Sequence, residues 1–193
     1  MKFIGFYDYT VILTYLSLAS AFVGMSFAHQ GHFTAAVICL FFSGFCDAFD
    51  GMVARTKKNR TQDEKSFGIQ LDSLCDVVSF GVLPGYLCRC MGVDGVFGMV
   101  CVCLYVVCAV IRLAFFNVLE GKRQQTEGGI NKFYRGLPVT ASSMIFPPVY
   151  LLRFVLTPAV FAGVLHGVLL LVAFLFVLDF KVPKPDLSKL LRR

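Results

Sequence analysis

Four aspartates stand where a charged side chain is least expected. Cys46-Asp47-Ala48-Phe49-Asp50-Gly51 closes one apolar stretch, and Gly68-Ile69-Gln70-Leu71-Asp72-Ser73-Leu74-Cys75-Asp76 opens the next. Asp47 and Asp50 are spaced i, i+3 and Asp72 and Asp76 i, i+4, so on helices each pair shares one face. A hairpin of the two helices would bring all four carboxylates together. Bare anions cannot crowd a small, partly dry site, because their repulsion raises proton affinity until some protonate. Divalent cations resolve the conflict, and an all-oxygen donor set favours magnesium, calcium or manganese over zinc. Two metals suit four carboxylates and leave positions open for a diphosphate. A plainer reading, helix caps and surface salt bridges, suits Asp50 or Asp72 alone but not four acids facing each other over apolar helices.

The neighbouring residues fit a phosphorylated ligand. Gly51, Ala54 and Gly68 leave room for a nucleotide or for close helix approach. Arg55 can fork onto phosphate oxygens, although taken alone it could equally be a snorkelling interfacial arginine.

The elements that must position these groups are membrane helices. Of the 193 residues 57% are hydrophobic, well above the roughly 45–50% of soluble domains, and mean hydropathy is +0.73. Six apolar stretches, at about 9–28, 33–50, 69–88, 95–118, 137–156 and 159–180, each approach the ~20 residues of a transmembrane helix. The expected fold is an all-α integral membrane bundle of six helices, a single domain over 1–193. With a cytoplasmic N-terminus, Lys2, the 51–68 and 119–136 loops and the C-terminal tail share one side, and they hold 15 of the 18 Lys and Arg. The positive-inside rule then puts both termini in the cytoplasm. Charge at the inner membrane surface accounts for the net +6, and no nucleic-acid partner is needed. Ser26-Phe27-Ala28 resembles a signal-peptide cleavage site only weakly, behind an n-region whose one charge is Lys2 and an apolar stretch too long for such a signal. The eight Cys lack paired C-x-x-C spacing and read as small core hydrophobes; Cys88 and Cys90, near the outer surface, could also be redox-active.

The pattern Asp47-x-x-Asp50-Gly51-x-x-Ala54-Arg55, then Gly68-x-x-x-Asp72-x-x-x-Asp76, resembles the signature of the CDP-alcohol phosphotransferases. One departure stands out: residues 56–67 separate Arg55 from Gly68, four more than the family's usual gap, and read as a loop extension. The resemblance implies six transmembrane helices, a homodimer in the cell membrane, and a two-metal site, magnesium or manganese, open to the cytoplasm. Asp47, Asp50, Asp72 and Asp76 would ligate metal, with Asp76 also the general base. Gly51, Ala54, Arg55 and Gly68 would shape the site for the CDP-lipid.

Three further stretches resemble the phosphatidylserine synthase branch: Asp72-Ser73-Leu74-Cys75-Asp76-Val77-Val78-Ser79-Phe80-Gly81-Val82-Leu83-Pro84, Arg112-Leu113-Ala114-Phe115-Phe116-Asn117, and Phe133-Tyr134-Arg135-Gly136-Leu137-Pro138-Val139-Thr140. That branch implies CDP-diacylglycerol and L-serine as substrates, with CMP released. Phe115 replaces the second arginine of the branch's R-L-A-R-F-N, so Arg112 or Arg135 would have to receive the serine carboxylate. Arg112, the one basic residue well inside a helix, could instead pair with an acid of the cluster. Asn117 could serve the serine ammonium or bond between helices. Gly136-Leu137-Pro138 is expected to start the fifth helix, and the polar 120–135 loop to close over the acceptor or merely connect. No H-x-K pair supports a phosphohistidine mechanism. Glycerol phosphate, inositol phosphate or archaetidyl chemistry are alternatives within the family. A divalent-cation transporter would instead want its acids at the bilayer midplane.

Overall fold

In the computed structural model, residues 4–57, 59–125 and 133–183 are described, with side chains except at 55, 122–125, 133–135 and 181–183. Of the segments assigned above to the cytoplasmic side, Lys2, residues 126–132 of the 119–136 loop and the tail from 184 onward lie outside the described residues. Helices α1 (Ile12–His29) and α2 (Phe33–Thr56) form a tight hairpin around Gly31, whose φ of +79° suits glycine. Helix α3 (Gln62–Asp76) runs through a π-helical turn (Val77–Val82) into α4 (Leu83–Cys90). Then come α5 (Gly95–Gln125), α6 (Ser142–Leu151) and α7 (Pro158–Val177).

Lipid is as apolar as the side chains it surrounds, so the helices are held by close packing and hydrogen bonds. The α1–α2 seam shows both. A Cβ on Gly24 would stand 3.0 Å from the Cβ of Cys39, close to the limit of contact. Ser43 Oγ donates to the Ser17 carbonyl at 3.0 Å and Ser20 Oγ to the Cys39 carbonyl at 3.0 Å. Ser17 Oγ also lies 3.3 Å from Ser79 Oγ, which ties the hairpin to the π turn. Behind it Tyr105 of α5 is fully buried against Phe146 and Phe176. Its hydroxyl reaches both the Phe80 carbonyl (2.7 Å) and Ser142 Oγ (2.8 Å), so the one polar atom of this buried side chain is satisfied.

Five helical runs among the described residues are long and apolar enough to cross a membrane: Tyr9–His29, Phe33–Ala54, Gln62–Cys90, Gly95–Gly121 and Pro158–Val177. The fifth apolar stretch of the sequence, 137–156, is not among them. It folds as a ten-residue α6 between two 3-10 turns, Val139–Ala141 and Leu152–Phe154, with Pro147 and Pro148 removing two backbone donors inside α6.

The all-α bundle carries one short ribbon among the described residues, in which β1 (Phe133–Arg135) pairs antiparallel with β2 (Lys181–Pro183). Two other expectations are corrected. Gly136-Leu137-Pro138 does not begin a helix but prolongs this ribbon. Gly136 has φ +71° and donates to the Phe180 carbonyl at 2.6 Å, Leu137 donates to the Leu175 carbonyl at 3.3 Å, and Pro138 is extended. The third helix starts seven residues before the expected 69, because Thr61 and Glu64 form a reciprocal capping box at its polar end.

Candidate metal and nucleotide site

The cytoplasm-facing ends expected of α2 and α3 meet beside the first turn of α1. Asp47 and Asp50 project from α2, Asp72 and Asp76 from α3. One carboxylate oxygen from each of Asp47, Asp50 and Asp72 lies within 4.8 Å of the others. Asp76 joins through contact with the Asp47 carboxylate, and Asp50 likewise touches Asp72. Asp76 is the deepest, only 7% exposed. Thr14 of α1 donates through Oγ1 to Asp50 Oδ2 at 3.2 Å. Among the described residues no salt bridge reaches any of the four.

Among the described residues the four acids thus have no ion-pair partner, and Asp72 Oδ1 is buried with no hydrogen-bond partner. An orphaned carboxylate oxygen is expensive unless something positive meets it. Hard oxygen donors gathered this closely can hold a divalent metal ion.

A cavity of about 410 Å³ opens from this cluster. Asp50 and Asp72 form one wall, and Gly51, Ala54 and Gly68 line it as well, so the structure brings the expected CDP-site residues to one place. Nothing lies within 4 Å of a Cβ placed on Gly51, so a side chain there would project into open space at the cavity wall. The Arg55 side chain lies outside what is described. Sequence reasoning missed three cations that line the cavity: Lys57, Arg60 and Lys65. All three belong to the long 56–67 gap, and that excess length was the available signal. Lys57 Nζ is bound by Asp8 Oδ2 at 2.8 Å and Glu64 Oε1 at 3.1 Å, which fastens the N-terminal segment across the loop. The Lys57 ammonium, helped by hydrogen bonds from Thr10, lowers the Asp8 carboxyl to a pKa of about 2, and the two acids raise that of Lys57.

The expected acceptor residues sit elsewhere. Arg112 is buried and donates through Nε to the Leu137 carbonyl at 3.1 Å. It lines a separate cavity of about 290 Å³ with Phe115, Leu178 and Asp179, and none of the four cluster acids lines that cavity. Asn117 bridges α5 to α3: its Oδ1 accepts from Ser73 Oγ at 2.7 Å and its Nδ2 donates to Gln70 Oε1 at 3.4 Å. Arg135 is in β1, with its side chain outside what is described.

Residues 9–178 match the family model for CDP-alcohol phosphatidyltransferase, and the chain belongs to that family. Among curated proteins it is similar to the archaetidylserine synthase of Methanothermobacter thermautotrophicus, 35% identical over 74% of this chain and 58% of that one. The CDP-diacylglycerol–serine O-phosphatidyltransferase of Bacillus subtilis is 34% identical over 61% of this chain and 64% of its own length. The enzyme of that name from Methanocaldococcus jannaschii is 28% identical over 95% and 76%. The Saccharomyces cerevisiae enzyme of the same name is 35% identical over 57% of this chain and 40% of its own length, so the chain spans only about half the length of the first curated relatives it matches. No solved structure matches it.

Proposed function

We propose that this chain transfers a phosphatidyl group, or its ether-linked archaeal counterpart, from a CDP-linked lipid to L-serine and releases CMP. The observation that carries this reading is the uncompensated four-acid cluster opening on a cavity walled by cations. Serine is favoured over other alcohols because the relatives named above are an archaetidylserine synthase and three CDP-diacylglycerol–serine O-phosphatidyltransferases.

In the proposed mechanism Asp47, Asp50, Asp72 and Asp76 hold two divalent ions, magnesium or manganese. When bound, these ions supply positive charge to the diphosphate and to the departing CMP. Asp76 takes the proton from the serine hydroxyl. The hydroxyl oxygen bonds to the lipid-side phosphorus as the bond to the CMP oxygen breaks. Gly51, Ala54 and Gly68 keep the nucleotide space clear, and Arg55 adds a phosphate donor. Arg112, Asn117 and Arg135 form the acceptor side. Arg112 supports this role by fixing the Leu137 carbonyl beside the strand that carries Arg135, and Asn117 by anchoring α5 next to Asp72 and Asp76. The same reading takes the 139–154 segment as a sixth crossing, puts both termini and the site on the cytoplasmic face of the cell membrane, and pairs two chains as a homodimer.

The test is CMP release by purified protein supplied with CDP-diacylglycerol or its ether analogue, each of serine, glycerol phosphate and inositol phosphate, and each metal. Release with serine and magnesium or manganese is expected. Release only with a phosphorylated acceptor would move the assignment to another branch of the family.

A further inference from the structure

The loop between α2 and α3 holds a cation that the mechanism above leaves unused. Arg60 lies in the stretch that makes the Arg55–Gly68 gap long, and its side chain reaches back over α3. Its Nη2 donates to the Glu64 carbonyl at 3.1 Å and stands 2.8 Å from where a Cβ on Gly68 would be. A side chain at position 68 would therefore displace the guanidinium. Arg60 Nε is buried with no hydrogen-bond partner. The same side chain lines the cavity bounded by Asp50, Gly51 and Asp72.

The local acid does not account for this charge. Both oxygens of the Glu64 carboxylate are engaged, Oε1 by Lys57 Nζ at 3.1 Å and Oε2 by the Thr61 N–H at 2.9 Å, so Arg60 receives only the backbone carbonyl. Neither neighbouring lysine replaces it, because Lys57 is held between Asp8 and Glu64, and Lys65 is exposed at the rim. A buried guanidinium N–H without an acceptor is costly, and a planar donor fork suits phosphate oxygens.

We propose that Arg60 is a substrate-binding residue, its guanidinium donating to the diphosphate of the CDP-lipid in the cavity it shares with Asp50 and Asp72. The proposal rests on the CDP-lipid reading above and adds a phosphate ligand supplied by the loop extension. A diphosphate beside the acids would meet carboxylates wherever the metals did not cover them, and a fixed cation lining the same cavity offsets that repulsion.

The experiment compares wild type, Arg60→Gln and Arg60→Lys by titration with CDP in the presence of magnesium or manganese. Cytidine serves as a phosphate-free competitor, and the thermal midpoint and the serine KM are measured in parallel. Loss of one charge-assisted bond to phosphate should weaken CDP roughly tenfold or more in Arg60→Gln. Arg60→Lys should fall between, cytidine should be unaffected, and the serine KM should stay unchanged. Equal weakening of CDP and cytidine, accompanied by a lower thermal midpoint, would reduce Arg60 to a loop fastener and overturn the proposal. Unchanged CDP affinity in Arg60→Gln would overturn it as well and leave the CDP-lipid reading standing. A wild type that binds no CDP with either metal would remove both.

Discussion

The two ends of the bundle have cavities of similar size and opposite electrostatics. At the acid end about 410 Å³ is bordered by Asp50 and Asp72, which no cation pairs among the described residues. At the other end about 380 Å³ lies between Arg89, Asp94 and Arg153. There the charges are settled locally: Arg89 pairs with Asp94 and also donates to the Val93 carbonyl, while Arg153 sits 4.8 Å over the Phe33 ring. Volume does not separate these two places; unpaired charge does. A site meant for a charged ligand must leave its own charge unanswered in the protein, and the stability given up there is recovered when the ligand arrives.

The largest effect should come from the acids. Asp→Asn at 47, 50 or 72 keeps the shape and removes the metal ligand, so CMP release should fall by roughly 100-fold or more, as it should in EDTA. Asp94→Asn at the other end should change it less than twofold. Full turnover by Asp72→Asn would break the comparison outright. Asp76→Asn sharpens it: CDP-lipid binding should persist while turnover falls about 100-fold, the scale of a lost general base. Binding and rate falling together would leave Asp76 a ligand only.

A smaller, directional effect is expected at Arg112. Arg112→Lys loses the planar fork, so the serine KM should rise several-fold while CDP-lipid affinity holds. Ethanolamine, which lacks the carboxylate, should be a poor substrate for the wild type. An unchanged serine KM would shift the acceptor role to Arg135.

Packing gives an effect on stability alone. A Cβ on Gly44 would come within 2.1 Å of Ser143 Oγ and 2.5 Å of Ser143 Cβ, too close for α2 and α6 to keep their spacing. Gly44→Ala should destabilise by roughly 1–3 kcal/mol, the usual range for overpacking. Adding Ser143→Gly should recover much of that, measured by thermal midpoint in detergent.

The smallest effect is expected at the Asp8–Lys57 clasp. Its folded carboxyl pKa, about 2, is below the ordinary value, so the bond's contribution is complete above roughly pH 4–5 and fades as pH falls toward 2. Asp8→Asn should lower the thermal midpoint slightly and equally from pH 6 to 8. A difference that grew across that interval would mean another group controls the clasp.

The acid pairs were legible because charge in an apolar helix is rare and its spacing fixes its face, and the structure gathers those residues. Gly51, Ala54 and Gly68 were legible as gaps for the same reason. Arg60 was not, because an arginine in a polar loop looks solvated until the fold lays it over Gly68. The start of α3 could have been found from Thr61-x-x-Glu64, a capping pattern obscured by the search for apolar length. The 137–156 stretch is less regular than its composition suggests because hydropathy counts residues and not donors: it folds as α6 between two 3-10 turns, with Pro147 and Pro148 inside the helix.

The π turn at Val77–Val82 has a consequence for how this chain can vary. It takes up one residue more than an α-helix would, so the acids before it and the packing face after it run on separate counts, about 100° out of phase with a continuous helix. Removing a single residue on either side of the turn would cost only ~1.5 Å of length and yet rotate the acids from their partners or Leu87 from the core by about 100°. Insertions and deletions in this helix should therefore be tolerated only within the turn itself, where the spare residue is already absorbed.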